Sequence, residues 1–288
     1  MHSNEMSLVT EIDRDGAPLG SSAVTPWWSF TKTLIAAATM RLVERRKVSV
    51  DSDLDGIGAS PRALLQHRAG LPDYGWLPTY HEAVRRGDDP WPEDTMLAAL
   101  PPSFAAGNFS YSNVGYLHLR RLIERATNAP FAMALQDLVL VPLGLSARVA
   151  YDRAAMAACV NPADLIYHPG WVYHGLVVGT ATDAALALRR ILASDFLAPS
   201  SRAAMQLARP VAVPTVGRPW STTGYGLGLM MGTMAAGPQR IAVAGHSAGG
   251  PGSAGAVYHA ASRTVAVFTA DPSEAPAEHE VCKRLAQG

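Results

Sequence analysis

The sequence contains few cysteines, no excess of charge and no motif for metal binding. Its 288 residues include two cysteines, Cys159 and Cys282, and neither belongs to a CxxC or Cys/His cluster that would bind zinc. We therefore expect two unpaired, buried thiols, no metal site and no cofactor. The 24 basic residues balance the 24 acidic ones, so the formal net charge is zero. A neutral chain lacks the positive field on which nucleic-acid binding depends, which argues against that class of partner.

Long apolar segments are absent as well. The longest apolar runs, LIAAA and IAVA, are much shorter than the roughly 20 residues of a membrane-spanning helix. The beginning of the sequence contains no apolar stretch typical of a signal peptide. We therefore expect no association with membranes and a cytoplasmic location. Hydrophobic residues make up 48% of the chain and charged residues 17%, which is typical of a globular protein of one or two domains.

The pattern of apolar residues changes twice along the chain. Residues 7–24 alternate around the turn dipeptide Asp15-Gly16 and predict an opening β-hairpin. Residues 31–46 predict an amphipathic helix with a narrow apolar face, and helical patterns prevail from residue 61 to about residue 192. The last part of the chain predicts strands separated by glycines and then a closing helix, namely strands at 224–231, 240–246, 253–259 and 264–270 and a helix at 275–286.

These patterns predict an α+β fold. Strands at both chain ends enclose a helical middle, so we expect one antiparallel sheet built from the two ends, with flanking helices. Residues 1–60 and 221–288 would form this sheet lobe, and residues 61–220 would form a mostly helical lobe. The active site would lie between the two lobes.

The first candidate nucleophile is Ser29, in the segment Ser29-Phe30-Thr31-Lys32. The spacing of three residues at a helix start places the Ser29 hydroxyl and the Lys32 ammonium on one face, one turn apart. A serine needs a neighbouring base, and a lysine can serve when burial lowers its pKa. Taken alone, the same four residues also fit a non-catalytic interpretation, in which the serine caps a helix and the lysine is exposed to solvent.

The second candidate nucleophile is Ser247, in Gly245-His246-Ser247-Ala248-Gly249. This segment matches G-x-S-x-G, the nucleophile elbow of α/β-hydrolases, and it follows an apolar strand. An elbow requires a helix directly after the serine, whereas glycines and a proline follow here. The chain after Ser247 is also too short for the remaining βαβ units of that fold. The context therefore favours Ser29.

Three motifs in order make the stronger case for Ser29. The first is Ser29-Phe30-Thr31-Lys32, the second is Tyr111-Ser112-Asn113, and the third is the strand segment that begins at Gly245. Connecting segments agree, among them LLQHRAGLPDY, YGLGL and TVAVFTAD. In this order the motifs resemble the serine β-lactamase and penicillin-binding protein-like family, and within it the branch of class C β-lactamases, D-aminopeptidases and family VIII esterases. The resemblance implies the β-lactamase-like form of the α+β fold predicted above.

The resemblance also implies a role for each motif residue. Ser29 would attack a carbonyl and form an acyl-enzyme, and either Lys32 or the phenolate of Tyr111 would take its proton. Lys32 and His246 would lower the pKa of Tyr111 if they act as cations beside it. Tyr111 would then pass the proton to the leaving group. Asn113 would bind the substrate amide or orient Lys32.

The third motif and the backbone would complete the implied site. His246, Ser247 and Ala248 would line the substrate, and the backbone N–H groups of Ser29 and Gly249 would form the oxyanion hole. His67, in LLQHRAG, would hold a helix end and a turn rather than take part in catalysis. Six other histidines show no spacing typical of ligands and receive no role: His81, His118, His168, His174, His259 and His279.

Three positions depart from the family pattern. Ala248 stands where a glycine is expected, and its methyl group would narrow the cleft beside the substrate. His246 replaces the lysine common in β-lactamases, which weakens the positive charge available to a substrate carboxylate. Bulky Trp27 and Trp28 precede Ser29, where small residues are more usual.

The sequence therefore predicts a serine hydrolase that cleaves a small ester or amide through an acyl-serine intermediate, of the carboxylesterase or D-amino-acid peptidase type. A β-lactamase or DD-carboxypeptidase that acts on β-lactams or D-Ala peptides is the alternative. An acyltransferase and a catalytically silent binding protein of the same fold are further alternatives. The expected partner is a small-molecule ester, amide or β-lactam.

Overall fold

The protein is described here by a computed structural model that covers residues 8–12, 21–160, 167–212 and 215–287. Its strands are β1 (Leu8–Ile12), β2 (Val24–Pro26), β3 (Arg148–Ala150), β4 (Leu176–Thr180), β5 (Arg209–Pro210), β6 (Trp220–Tyr225), β7 (Met230–Ala236), β8 (Gln239–Gly250), β9 (Ser253–Ala260) and β10 (Arg263–Thr269). Seven of them form an antiparallel sheet in the order β1-β10-β9-β8-β7-β6-β5, and the other three form a small sheet in the order β2-β4-β3.

The helices of the described ranges lie mostly between β2 and β5. They are α1 (Thr31–Glu44), α2 (Pro61–Leu65), α3 (Pro78–Arg86), α4 (Glu93–Ala98), α5 (Asn113–Thr127), α6 (Phe131–Leu135), α7 (Arg153–Ala157), α8 (Ala181–Ala193), α9 (Pro199–Gln206) and α10 (Glu274–Ala286). Single 3₁₀ turns occur at Trp28–Phe30, Tyr74–Trp76 and Pro169–Trp171, and a π-helical turn at Gln136–Leu140 continues α6.

Both chain ends contribute to the large sheet, as predicted. β1 pairs with β10, so that Leu8 lies opposite Phe268 and Ile12 opposite Thr264. The predicted opening hairpin stays a prediction. Its first strand, β1, lies at one edge of the large sheet, and β2 pairs with β4 in the small one. The turn residues Asp15 and Gly16 lie outside the described residues. Local alternation identifies a strand, whereas its partner is decided by contacts between distant parts of the chain.

The large sheet is covered on both faces. In β10, Val265 and Val267 pack in a cluster with Val281 of α10, whereas Phe268 belongs to the cluster formed with α1 and α8. This alternation follows the two-residue period of a strand. Helix α8 therefore packs on the sheet although it falls within the segment 61–220 predicted to be a helical lobe. The division into two lobes stays a prediction.

Helix α1 is the central helix of the core. Residues 31–40 are all buried, including Lys32, and the helix packs against α5, α8 and α9. The predicted apolar stripe is buried and Arg45 is exposed, but burial extends beyond a stripe, because the surrounding elements enclose residues 31–40 on all sides. This enclosure places Lys32 out of contact with water at the base of the site.

The predictions about the two cysteines and about membrane association can be compared with the structure in part. Cys159 and Cys282 are free thiols, as predicted, although Cys159 is half-buried. In the described ranges, no helix is both long and apolar enough to cross a membrane. The cytoplasmic location stays a prediction.

Candidate active site

A sharp turn presents Ser29 at the start of α1. The 3₁₀ turn Trp28–Phe30 runs directly into the helix, and Trp28 has a φ of 37°, which is unusual for a residue with a side chain. Phe30 is buried, whereas Ser29 is half-buried. A strained residue beside an accessible serine is a feature that clusters at functional sites.

The two tryptophans before Ser29 fit because glycines face them. The Trp28 indole Nε1 donates a hydrogen bond to Ser253 Oγ at 2.9 Å. A β-carbon on Gly250 would come within 2.3 Å of the Trp28 ring, and one on Gly179 within 2.7 Å of the Trp27 ring. The departure from small residues at these positions is thus compensated by glycines on neighbouring strands.

Lys32 lies at the centre of a polar cluster. Its Nζ is 3.3 Å from Ser29 Oγ, 2.7 Å from Asn113 Oδ1 and 3.3 Å from His174 Nε2. Burial lowers the pKa of Lys32 from 10.5 to about 7, although Asp73 and Glu274 oppose the shift. A substantial fraction of Lys32 is therefore a neutral amine near neutral pH.

Asp73 orients Asn113 toward Lys32. The Asp73 carboxylate accepts hydrogen bonds from the backbone N of Asn113 at 2.6 Å and from its Nδ2 at 3.0 Å. It also accepts from the backbone N of Gly75. Because the Asn113 amide nitrogen faces Asp73, its Oδ1 is directed to Lys32 Nζ. Asp73 lies in the LPDY segment that contributed to the family resemblance, but the sequence analysis assigned it no role.

Tyr111 touches the reactive serine. Its hydroxyl donates a hydrogen bond to Ser29 Oγ at 2.9 Å, and its ring stacks on His67 with ring centroids 4.2 Å apart. Burial raises the pKa of Tyr111 well above its ordinary value, and Glu274 adds to this shift. The expectation that Lys32 and His246 lower this pKa is wrong. Tyr111 is a neutral phenol, a proton donor rather than a base in the resting site.

A chain of hydrogen bonds joins His67 to the third motif. His67 Nδ1 accepts a hydrogen bond from the Ser112 backbone N at 3.0 Å, so the hydrogen of the neutral His67 ring lies on Nε2. That Nε2 is 3.2 Å from the Tyr225 hydroxyl. Tyr225 in turn lies 2.7 Å from His246 Nε2. His246 Nδ1 faces the Ser247 carbonyl oxygen, so it carries the hydrogen of that ring and Tyr225 donates to Nε2. His67 thus holds the loop of the second motif, consistent with its expected structural role.

His246 is an uncharged residue in this arrangement. It is buried, and burial together with Lys32 lowers its pKa to about 3. Both of its ring nitrogens are engaged within the protein. His246 therefore supplies neither a positive charge to a substrate nor one to Tyr111.

Of the third-motif residues expected to line the substrate, His246 and Ser247 line a cavity, whereas Ala248 belongs to the core. Ser247 continues strand β8, is 1% exposed, and donates its hydroxyl hydrogen to Glu278 while accepting from Tyr258. No helix follows it directly, so the elbow of an α/β-hydrolase is not formed. Ala248 is 0% exposed and packs in the main core cluster, so its methyl group does not narrow the cleft.

The end of β8 offers an open strand edge. The pairing of β8 with β7 stops at Gly245, whereas the pairing with β9 continues to Gly250. The Ser247 backbone N faces the β7 side, where it contacts Met230 Sδ. Alternate residues of a strand direct their N–H groups to the same side, so the N–H of exposed Gly249 faces the open edge. This orientation suits the oxyanion role implied for Gly249.

Two cavities flank the Ser29–Tyr111 pair. The first cavity, of about 410 Å³, is lined by Ser29, Asn113, Gly249 and aromatic side chains that include Trp28, Tyr74 and Tyr80. The second cavity, of about 250 Å³, is lined by Tyr111 and by apolar and charged residues that include Phe109, Trp220, Met230, Met231, Arg218 and Glu274. The described residues contain no group of three or more histidines, cysteines and carboxylates that could hold a metal ion.

Comparison with known proteins assigns the family. A family model described as Beta-lactamase matches residues 11–286. The chain belongs to the β-lactamase family. This membership confirms the predicted family and fold.

Relatives of this β-lactamase-family protein include enzymes and binding proteins. Penicillin-binding protein 4* of Bacillus subtilis (strain 168) is 26% identical over 166 residues, which are 54% of this chain and 36% of that protein. The chain thus spans about a third of the length of this curated relative. D-amino acid amidase from Ochrobactrum anthropi SV3 superimposes with a TM-score of 0.81 at 19% identity over 98% of this chain and 94% of its own. SurE with D-Leu gives a TM-score of 0.68 at 26% identity over 98% and 70%.

Three residues of the β-lactamase-family site were missed by sequence reasoning. Asp73 orients Asn113, His174 contacts Lys32, and Glu274 lies beside Gly249, where an added β-carbon would be 3.4 Å from its Cγ. Asp73 had a signal in its LPDY segment. His174 begins the segment HGLVVGTATDAALAL, which also resembles the family, although the histidine itself was assigned no role. Glu274 had no signal, because only the folded chain brings it to the motifs.

Proposed function

We propose that the protein hydrolyses small, uncharged esters or amides through an acyl-Ser29 intermediate. The observation that carries this proposal is the position of Ser29 Oγ between Lys32 Nζ at 3.3 Å and the Tyr111 hydroxyl at 2.9 Å. A nucleophile in contact with a base and an acid can both lose its own proton and direct a proton to the leaving group.

Lys32 is the base for acylation. Its lowered pKa leaves an amine that accepts the Ser29 proton as Oγ bonds to the substrate carbonyl carbon. The carbonyl oxygen becomes an oxyanion and accepts hydrogen bonds from the backbone N–H groups of Ser29 and Gly249. When the bond to the leaving group breaks, Tyr111 gives its proton to that group and the proton on Lys32 restores the phenol. In deacylation a water molecule attacks the acyl carbon and gives its proton to the neutral amine of Lys32. Tyr111 then gives its proton to Ser29 Oγ as the acyl bond breaks, and the proton on Lys32 restores the phenol.

The two cavities would hold the two parts of the substrate. The first cavity contains Ser29, Asn113 and Gly249, so it receives the acyl part with its carbonyl at the oxyanion donors. Tyr111, the proton donor to the leaving group, lines the second cavity. The leaving group therefore enters beside the apolar side chains of Met230, Met231 and Trp220.

The charges of the site favour an uncharged substrate. His246, at the position of the family's lysine, is neutral. Arg218 in the second cavity is held by Glu274 at 2.7 Å and by Glu278, so its charge is already neutralised. Among the residues that the structure describes, a carboxylate near the third motif would find no free cation and would face Glu274. An ester or a simple amide is thus favoured over a β-lactam or a D-Ala peptide, and the name D-amino acid amidase among the structural neighbours agrees with an amide.

Matched substrates test the proposal. Esters and anilides with one butyryl acyl group and either a neutral or a carboxylated aryl leaving group should be compared for kcat/KM, with Ser29→Ala as the control. We expect turnover that Ser29→Ala abolishes, and a preference of about tenfold or more for the neutral leaving group, the effect of roughly 1.4 kcal/mol.

Other results would identify the alternatives. Faster turnover of benzylpenicillin or of a D-Ala-D-Ala peptide than of every neutral substrate would overturn the proposal in favour of a β-lactamase or DD-carboxypeptidase. Products acylated on an added amine or alcohol, formed faster than the free acid, would indicate an acyltransferase. Turnover that survives Ser29→Ala would contradict the acyl-serine mechanism.

A further inference from the structure

His174 is a buried histidine beside the candidate base. It lies between the 3₁₀ turn Pro169–Trp171 and strand β4, is 2% exposed, and places Nε2 3.3 Å from Lys32 Nζ. It also lines the first cavity. The sequence assigned it no role, and none of the three family motifs contains it.

The two nitrogens of the His174 ring differ in their surroundings. Nδ1 has no hydrogen-bond partner among the described residues, whereas Nε2 faces Lys32. Burial and Lys32 lower the pKa of His174 well below its ordinary value, so the ring is neutral and carries one hydrogen. When Lys32 is an ammonium it has no lone pair, so Nε2 can only accept and the ring hydrogen lies on Nδ1. A buried donor without a partner is costly and calls for a compensating function.

The geometry around Lys32 shows what His174 supplies. A neutral lysine amine has two hydrogens and one lone pair. Asn113 Oδ1 at 2.7 Å and His174 Nε2 at 3.3 Å can accept the two hydrogens. The lone pair is then directed toward the third neighbour, Ser29 Oγ. With only Asn113 as an acceptor, the amine could rotate and point a hydrogen at the serine.

We propose that His174 is a positioning residue that fixes the rotation of the Lys32 amine so that its lone pair faces the Ser29 hydroxyl. This inference rests on the proposed function, because it assigns Lys32 as the base. His174 acts through Lys32 and need not touch the substrate. The charged and titratable groups that face the Lys32–His174 pair are Asp73, Glu274, Arg120, Tyr111, Tyr116, His67 and His246.

Two variants, His174→Gln and His174→Leu, distinguish the role of the accepting atom Nε2 from that of the imidazole ring as a whole. Gln can place its side-chain carbonyl oxygen near the position of Nε2, whereas Leu fills similar space and accepts no hydrogen bond. The rate at which a fluorophosphonate probe labels Ser29 measures the reactivity of the serine without knowledge of the substrate, and kcat and KM for a butyryl ester give a second readout.

We expect His174→Leu to lower the labelling rate and kcat by about 10- to 100-fold with little change in KM, since misorientation of a reacting group has costs of this size. The acid limb of the pH profile should move to lower pH, because the Lys32 ammonium loses an acceptor that stabilises it. His174→Gln should recover most of the rate. The unfolding midpoint of His174→Leu should stay close to that of the wild type, because the variant removes the unpaired Nδ1–H but leaves one buried hydrogen of Lys32 without an acceptor.

The controls distinguish this inference from the proposed function. If Ser29→Ala abolishes labelling and turnover while His174→Leu retains the wild-type rate and pH profile, the positioning role is wrong and the proposed function stands. Equal losses in the Gln and Leu variants, with unchanged unfolding midpoints, would also overturn the role, because the ring rather than its acceptor atom would then matter. If Ser29→Ala keeps the activity, the proposed function itself fails.

Discussion

Lys32 Nζ lies 2.7 Å from Asn113 Oδ1 in the interior of the protein. This contact gives a fully buried amine a fixed partner that accepts a hydrogen bond in either protonation state. Burial nevertheless dominates and lowers the pKa of Lys32 to about 7. The site thereby holds a lysine that can serve as a base near neutral pH, whereas a solvated lysine would be almost fully protonated.

The pH profile should report Lys32 directly. Acylation needs the neutral amine, whose fraction rises with pH through a pKa of about 7. We expect kcat/KM for a butyryl ester to rise about tenfold per pH unit below this value and to level off above it. An acid limb near 10.5, the ordinary lysine value, would show that Lys32 is not the depressed base described here.

Replacing Glu274 should shift that limb. The negative charge of Glu274 raises the pKa of Lys32, so Glu274→Gln should lower it and move the acid limb of kcat/KM to lower pH. The amide oxygen of Gln can still accept from Arg218. Glu280→Gln, on the same helix but paired with Arg284, is the matched control and should leave the limb unchanged. A limb that moves upward in Glu274→Gln would contradict this electrostatic reading.

Removing the Tyr111 hydroxyl should affect poor leaving groups most. As the proton donor, Tyr111 assists an amide or alkyl ester, whereas a nitrophenyl ester releases a stable anion that needs no proton. Tyr111→Phe should therefore lower kcat/KM by about 10²- to 10⁴-fold for an anilide and by much less for the nitrophenyl ester. Equal losses for both substrates would exclude the leaving-group role and point to a purely positional one.

Gly250 should be intolerant of any side chain. An added β-carbon would lie 2.3 Å from the Trp28 ring, and the ring is held by Ser253. Gly250→Ala should therefore lower the free energy of unfolding by about 1–3 kcal/mol, the usual cost of overpacking. Gly249→Ala, whose β-carbon would meet Glu274 at 3.4 Å, is the neighbouring control for stability. Urea unfolding measures the stability of both variants. An unchanged midpoint for Gly250→Ala would contradict the prediction and would show that the Trp28 ring can move aside.

The sequence predicted those parts of the site that depend on short spacings. One helical turn joins Ser29 to Lys32, and Tyr111 and Asn113 flank the start of α5, so these residues could be selected before the fold was known. The family and the sheet from both chain ends were also predictable. The orientation of the third motif was not, because whether Ala248 faces the cleft or the core depends on strand register and packing.

The residues that adjust the site depend on distant contacts. His174 contacts Lys32 although the two residues are 142 positions apart in the chain, and no periodicity or motif predicts such a contact. The pKa of His246 follows from burial that only the packed structure creates. For the same reason the pairing of β1 with β10, at the other end of the chain, could not be predicted from local alternation.

The most direct test of the central claim is the identity of the labelled serine. Wild type, Ser29→Ala and Ser247→Ala should be treated with a fluorophosphonate probe and analysed by intact-protein mass spectrometry and peptide mapping. The account predicts one adduct on Ser29 in the wild type and in Ser247→Ala, and none in Ser29→Ala. An adduct on Ser247, or labelling that survives Ser29→Ala, would contradict it.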